Sequence, residues 1–232
     1  MPSFRAVSAR PLLSWLYLRR LATPAKILRM ERCNPLRQAL GAVNGVRRRL
    51  LNFTWLLEAR GCGLELGKGI LLNGRPYLAR EPGSRIVLGD RVCLNSSFRS
   101  NPLGCSRPVS LRTMRPGAEI ILGRGVGLSG NAVCDALRIH IGEGTFVGAD
   151  AMIFDNDFHS PVDEWSWGHA APDNPRPVVI GRGAFIGARA IILKGVTIGD
   201  RAIIGAGAVV ARDVPASHLA VGNPAQILPL KS

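Results

Sequence analysis

Residues 178–210 read VVIGRGAFIGARAIILKGVTIGDRAIIGAGAVV. Every sixth position from Ile180 is β-branched: Ile180, Ile186, Ile192, Ile198, Ile204 and Val210. A helix repeats at about 3.6 residues and a strand at about 2, so a step of six is neither. It describes a short strand, a turn and another short strand, with one aliphatic per unit facing inward. Gly181, Gly187, Gly199 and Gly205 directly follow four of these aliphatics. Glycine there is expected to supply turn backbone that other residues resist. Three units of six make one triangular coil of eighteen residues. Stacked coils pair as parallel strands, and each buries its apolar face only against its neighbours.

The step continues outward. It runs through Ile141, Val147 and Ile153, and through Leu122, Leu128 and Cys134 with a slip of one residue before Ile141. Fainter copies are Leu66, Leu72 and Leu78, and Leu88 and Leu94. One break stands inside the strong region: Ile153 and Ile180 are 27 apart where six would continue the ladder. A loop over residues 154–178 therefore leaves the prism. It is rich in Pro, Asp and Asn and carries Trp165 and Trp167. A solenoid does not need such an excursion for stability, and long loops in compact domains are usually functional.

Composition narrows the class. Hydrophobic residues make up 47% of the 232, enough for a core, and no apolar run approaches the length of a spanning helix. Residues 1–60 hold 12 of the 30 Arg and Lys but only two of the 16 acids, Glu31 and Glu58. The basicity thus belongs to an N-terminal segment. Pro11, Pro24 and Pro35 are placed to start helices there. Leu40, Val43, Val46, Leu50, Phe53 and Leu57 alternate with Arg47, Arg48 and Arg49 as in a basic amphipathic helix. Attraction to an anionic membrane surface is one expectation for residues 1–60. Nucleic-acid binding is not expected, because charge alone without an aromatic platform or a recognition fold is thin support. Five cysteines, Cys33, Cys62, Cys93, Cys105 and Cys134, show no C-x-x-C spacing, so a reducing cytoplasm is expected. The chain is divided as a basic helical segment, 1–60, and a solenoid, 61–228.

The segment from Val178 to Leu228, with its run VVARDVPASHLAVGNPAQIL, closely resembles the C-terminal part of hexapeptide-repeat acetyltransferases. The group includes maltose and galactoside O-acetyltransferases, nodulation-factor acetyltransferases and O-antigen or capsule acetyltransferases. The resemblance covers about residues 62–228 and is strongest over 120–228. It implies a mainly β fold, a left-handed parallel β-helix, whose hand departs from the usual right-handed crossover. It also implies a homotrimer with acetyl-CoA held between subunits as co-substrate.

The residues fit that chemistry. Acyl transfer from a thioester to a hydroxyl needs a base near neutral pH, and imidazole is the natural one. By resemblance, MIFDNDFHS ends in the catalytic base, His159. Asp155, Asn156 and Asp157 are candidates to orient its ring or hold the acceptor, and Asn131 and Asp135 to meet the acceptor across a subunit boundary. Donor contacts carried over by motif are Gly187 and Ala188 in FIGARA, Ala206 in IIGAGA, and Ala211 and Arg212 in VVARDVP. Four positions depart from the family's habits: Ala188 where some relatives have Ser, Ala211 where Thr is frequent, Gln226 where a basic residue is frequent, and Phe185, mildly, where Trp is frequent. Metal catalysis is not expected, since no H-x-x-x-x-H spacing occurs among the four histidines. His169, in the loop, is a weaker acceptor candidate. The reading is an acetyl-CoA-dependent O-acetyltransferase acting on a sugar hydroxyl. It is expected in the cytoplasm, with a possible peripheral place at the inner membrane face. Alternatives are N-acetyl transfer to an amino sugar or amino acid, and a non-catalytic hexapeptide scaffold.

Overall fold

The computed structural model describes residues 35–135, 137–168 and 174–230, with side chains from residue 43 onward. The helix starts expected at Pro11 and Pro24, together with His169, lie outside the described residues. The described residues from Arg48 onward form one compact unit. No helix among the described residues is long and apolar enough to cross a membrane.

Helix α1, Pro35–Gly61, begins at the third of the expected prolines. Its last turns cap the solenoid. Ala59 is buried, the Asn52 side chain accepts the Leu72 N–H at 2.6 Å, and Glu58 pairs with Arg75. Arg48–Gly61 thus fold in one unit with the solenoid.

The remainder is a left-handed parallel β-helix of three sheets. The first face stacks six strands, from Glu65–Leu66 to Thr197–Ile198. The second stacks eight and closes with the antiparallel pair His218–Val221 and Gln226–Pro229. The third runs from Tyr77–Ala79 to Val209–Val210. Register places like on like: Leu122, Ile141, Ile180 and Ile198 stack in one column. Val147, Ile186 and Ile204 form a second column, and Ile153, Ile192 and Val210 a third. All ten side chains are essentially inaccessible. Each buried aliphatic contributes about 1.5–3 kcal/mol by leaving water.

Three details differ from the sequence reading. The ladder slips at Val133, which stacks between Leu111 and Ile153, while Cys134 faces outward and is half-buried. Leu94 and Leu111, on adjacent faces of one coil, are 17 apart where the step predicts six, so a second, shorter excursion exists that the faint lower repeats concealed. Third, the glycines after the aliphatics are not needed for left-handed backbone; that conformation falls on Gly183, Arg189, Gly195, Arg201 and Gly207 instead. A Cβ on Gly187 would stand 2.4 Å from the Ala206 nitrogen, and one on Gly199 2.3 Å from the Ala216 nitrogen. Glycine is required there because the next coil's backbone passes too close for any side chain.

Candidate active site

The arm leaves the third face after Phe154 and returns before Val178. It folds on itself as a two-stranded antiparallel ribbon, Ser160–Pro161 against Trp167–Gly168. Asp163 closes the tip by accepting the Trp165 N–H at 2.8 Å and the Ser166 hydroxyl at 2.7 Å, as Asx turns do. At the root, Phe158 adopts a left-handed backbone (φ 61°) and rests its ring against Phe154 at 5.4 Å. This bend turns the next residue, His159, out to solvent.

His159 Nδ1 lies 3.1 Å from the Gly168 carbonyl oxygen. A carbonyl accepts only, so Nδ1 carries the hydrogen and Nε2 is the basic nitrogen. His159, Asp157, Pro161 and Trp167 line a cavity of about 640 Å³. Asp157 pairs with Lys194, whose ammonium also donates to the Asn174 carbonyl at 3.3 Å and so ties the arm's two ends together. Neither Lys194 nor Gly168 was among the sequence-derived candidates. Lys194 sits in the repeat as an ordinary outward position, and Gly168 acts through its backbone, which side-chain chemistry does not reveal.

The other candidates divide. Asp157 lines the cavity. Asn131, Asp135 and Asp155, expected to face the acceptor, are fully buried inside the prism. Asn131 spends its amide on the Gly148 carbonyl at 2.8 Å and its oxygen on the Ser129 N–H. Asp155 accepts the Leu137 and Arg138 N–H groups at 2.7 and 2.9 Å and the Asn156 amide at 3.0 Å. Asn156 in turn accepts the Phe158 N–H at 2.9 Å. Burial, and then the Asp155 carboxylate beside it, push the Asp135 carboxyl up to about 9. These side chains hold the coil and the arm's root from within.

Of the residues expected to contact the donor, Ala211 and Arg212 line a groove of about 660 Å³ with residues 221–226. Gln226 lies in this groove too. Gly187, Ala188 and Ala206 lie on a different edge, between the second and third faces. Gly187 is buried by coil stacking, and Ala206 is exposed. No cluster of three or more His, Cys, Asp or Glu among the described residues is placed to hold a metal ion.

Comparison with known proteins agrees with the geometry. Residues 177–212 match the family described as bacterial transferase hexapeptide (six repeats). That stretch carries the six-residue repeat described for bacterial hexapeptide transferases. Nodulation protein L of Rhizobium leguminosarum bv. viciae is 47% identical over 113 residues, which is 48% of this chain and 57% of that protein. The probable acetyltransferase Rv3034c of Mycobacterium tuberculosis is 26% identical over 169 residues, 70% of this chain and 48% of that protein. The chain thus spans less than two thirds of the length of these relatives. Among solved structures, an S84A mutant of AntD, an N-acyltransferase from Bacillus cereus, shares the fold. The TM-score is 0.59 at 18% identity, covering 76% of this chain and 89% of that one.

Proposed function

We propose that the protein is an acetyl-CoA-dependent O-acetyltransferase acting on a sugar hydroxyl. The observation that carries the reading is His159: an exposed imidazole at the root of the arm, its tautomer set by the Gly168 carbonyl, on the wall of a cavity. The match to the hexapeptide transferase family and the similarity to nodulation protein L and a probable acetyltransferase support it.

In this mechanism Nε2 of His159 takes the proton from the acceptor hydroxyl as its oxygen attacks the thioester carbonyl. The tetrahedral intermediate collapses, and the imidazolium returns the proton to the departing CoA thiolate. A general base of this kind supplies about 10²–10⁴ in rate. Trp167 offers an aromatic face to the apolar side of a sugar ring, and Asp157 its carboxylate to ring hydroxyls. Arg212 meets CoA phosphate, and the backbone N–H of Ala188 serves the thioester oxygen in place of the serine some relatives carry. The donor lies between subunits of a homotrimer, and the basic residues 1–60 draw the enzyme to anionic lipid.

The test is purified protein with acetyl-CoA and a panel of glycosides and amino sugars, read as free thiol and by mass of the product. Ester formation on a sugar hydroxyl is expected. An amide product would replace the O-transfer reading with N-transfer, and absence of calorimetric binding to acetyl-CoA would favour a scaffold.

A further inference from the structure

A column of buried polar side chains runs up one corner of the prism, between the third and first faces. Ser84, Thr113, Asp135, Asp155 and Asn156 are each no more than a few per cent exposed. Ser84 and Thr113 join hydroxyl to hydroxyl at 2.7 Å. Thr113 pairs in register with Asp135, and Phe154 with Cys134, so Asp155 sits one coil above Asp135. A solenoid corner is built from turns and needs no acid inside it. Two stacked carboxyls in an apolar prism are costly unless one of them is neutral.

The hydrogen bonds say which one is ionised. Asp155 accepts two backbone N–H groups and an amide N–H, three donors that favour a carboxylate. Among the described residues no well-formed hydrogen bond reaches either oxygen of Asp135, and the Leu137 and Glu119 N–H groups near it weigh less than burial and the Asp155 carboxylate. Among the described residues no ion pair reaches Asp135. The Arg138–Glu119 pair lies on the outside of the neighbouring face, and Arg107 and Arg112 act on outward-facing Cys134. A buried carboxyl without well-formed donors is satisfied by keeping its own hydrogen and giving it to the carboxylate beside it.

We propose that Asp135 and Asp155 share one proton inside the prism, and that this pair is the positioning element that seats His159. Asp155 grips both ends of the arm. Its carbonyl accepts the Arg176 N–H at 2.8 Å where the arm returns, and its side chain holds Asn156, which holds the Phe158 N–H at the bend. The shared proton lets Asp155 keep its charge for the Leu137 and Arg138 amides without a second charge against it. Burial raising the Asp135 carboxyl to about 9 agrees with this state at neutral pH. The link to catalysis rests on the function proposed above; the proton sharing does not.

Infrared spectroscopy of the full chain tests the pair. A protonated-carboxyl stretch is expected at pH 7.5, fading as pH passes about 9 and missing in Asp135→Asn. No such band in the unsubstituted chain, or a band unchanged in Asp135→Asn, would overturn the sharing whether or not any variant folds. Amide exchange tests the positioning. Asp155→Asn should speed exchange at Phe158 and Arg176 by about tenfold or more, and Asp135→Asn, which still donates, by less than about threefold. Unaltered exchange in Asp155→Asn would overturn the positioning role. Neither readout involves acetyl transfer, so failure of the proposed activity leaves both standing.

Discussion

The carbonyl oxygen of Gly168 faces Nδ1 of His159 across 3.1 Å, nine residues away along the chain. The ribbon makes this contact by turning back at Asp163 and pairing Ser160 with Gly168. The arm thus carries the imidazole and also supplies the acceptor that fixes its tautomer. Backbone plays the part a carboxylate often takes beside a histidine. A backbone acceptor adds no charge to the site.

Replacing His159 should abolish fast transfer without touching the fold, since the ring is exposed. His159→Gln is expected to lower kcat/KM by about 10²–10⁴ while circular dichroism and oligomeric state stay as in the parent. Turnover within a few-fold of the parent would remove His159 from the mechanism.

Trp167 is 66% exposed and lines the cavity with His159. A sugar ring stacked on it gains about 0.5–1.5 kcal/mol, so Trp167→Ala should raise acceptor KM by roughly 2–10-fold with the acetyl-CoA KM unmoved. An altered donor KM instead would place the indole on the CoA side.

Arg212 stands exposed in the groove beside Ala211 and Asn223. A phosphate contact at such a site is screened by salt. Arg212→Ala should weaken CoA binding several-fold at low ionic strength, with the difference shrinking at about 1 M salt. Calorimetry showing equal affinity for parent and variant at low salt would exclude the contact.

The Asp135 carboxyl moves from an ordinary 3.8 to about 9 on folding. The folded chain therefore binds one more proton than the unfolded chain between those values. Its stabilising share is complete below the unfolded value and is lost as pH rises through the folded one, by up to about 1.4 kcal/mol per pH unit. Asp135→Asn removes that dependence. The Tm of the variant minus that of the parent should climb steadily from about pH 5 to pH 8. A difference constant over that range would show that Asp135 is ionised in both states.

Gly187 tests the packing rule. Its added Cβ would meet backbone nitrogen, not a mobile side chain, at 2.4 Å. Gly187→Ala should cost about 1–3 kcal/mol in denaturant unfolding, as overpacking does. The same change at Gly207, where nothing lies within 4 Å but φ is +70°, tests backbone strain instead of a clash.

Much of this molecule was legible in its residues. The Ile180-to-Val210 period gave sheet, register and core at once, because a solenoid repeats one local solution and its columns are written in single positions. The 27-residue gap announced the arm. What misled was local. Cys134 and Val133 are adjacent and both apolar enough to face inward, and only the strand pairing to Leu111 and Ile153 shows which does. Asn131, Asp135 and Asp155 carry the side chains a sugar site would use, so polarity suggested the cleft. Their burial follows from the inward phase of the strands, which places Asp135 two residues after Val133 on the same side.

The amino-acid order alone settled the coil, its three columns of aliphatics and the place where the chain leaves them, since these depend on period and side-chain volume. Tertiary folding decided which carbonyl meets His159, which lysine holds Asp157 and which acids lie hidden. Those partners are brought together by the arm's return and by stacking between coils, and distances between coils are not encoded in any single stretch of chain.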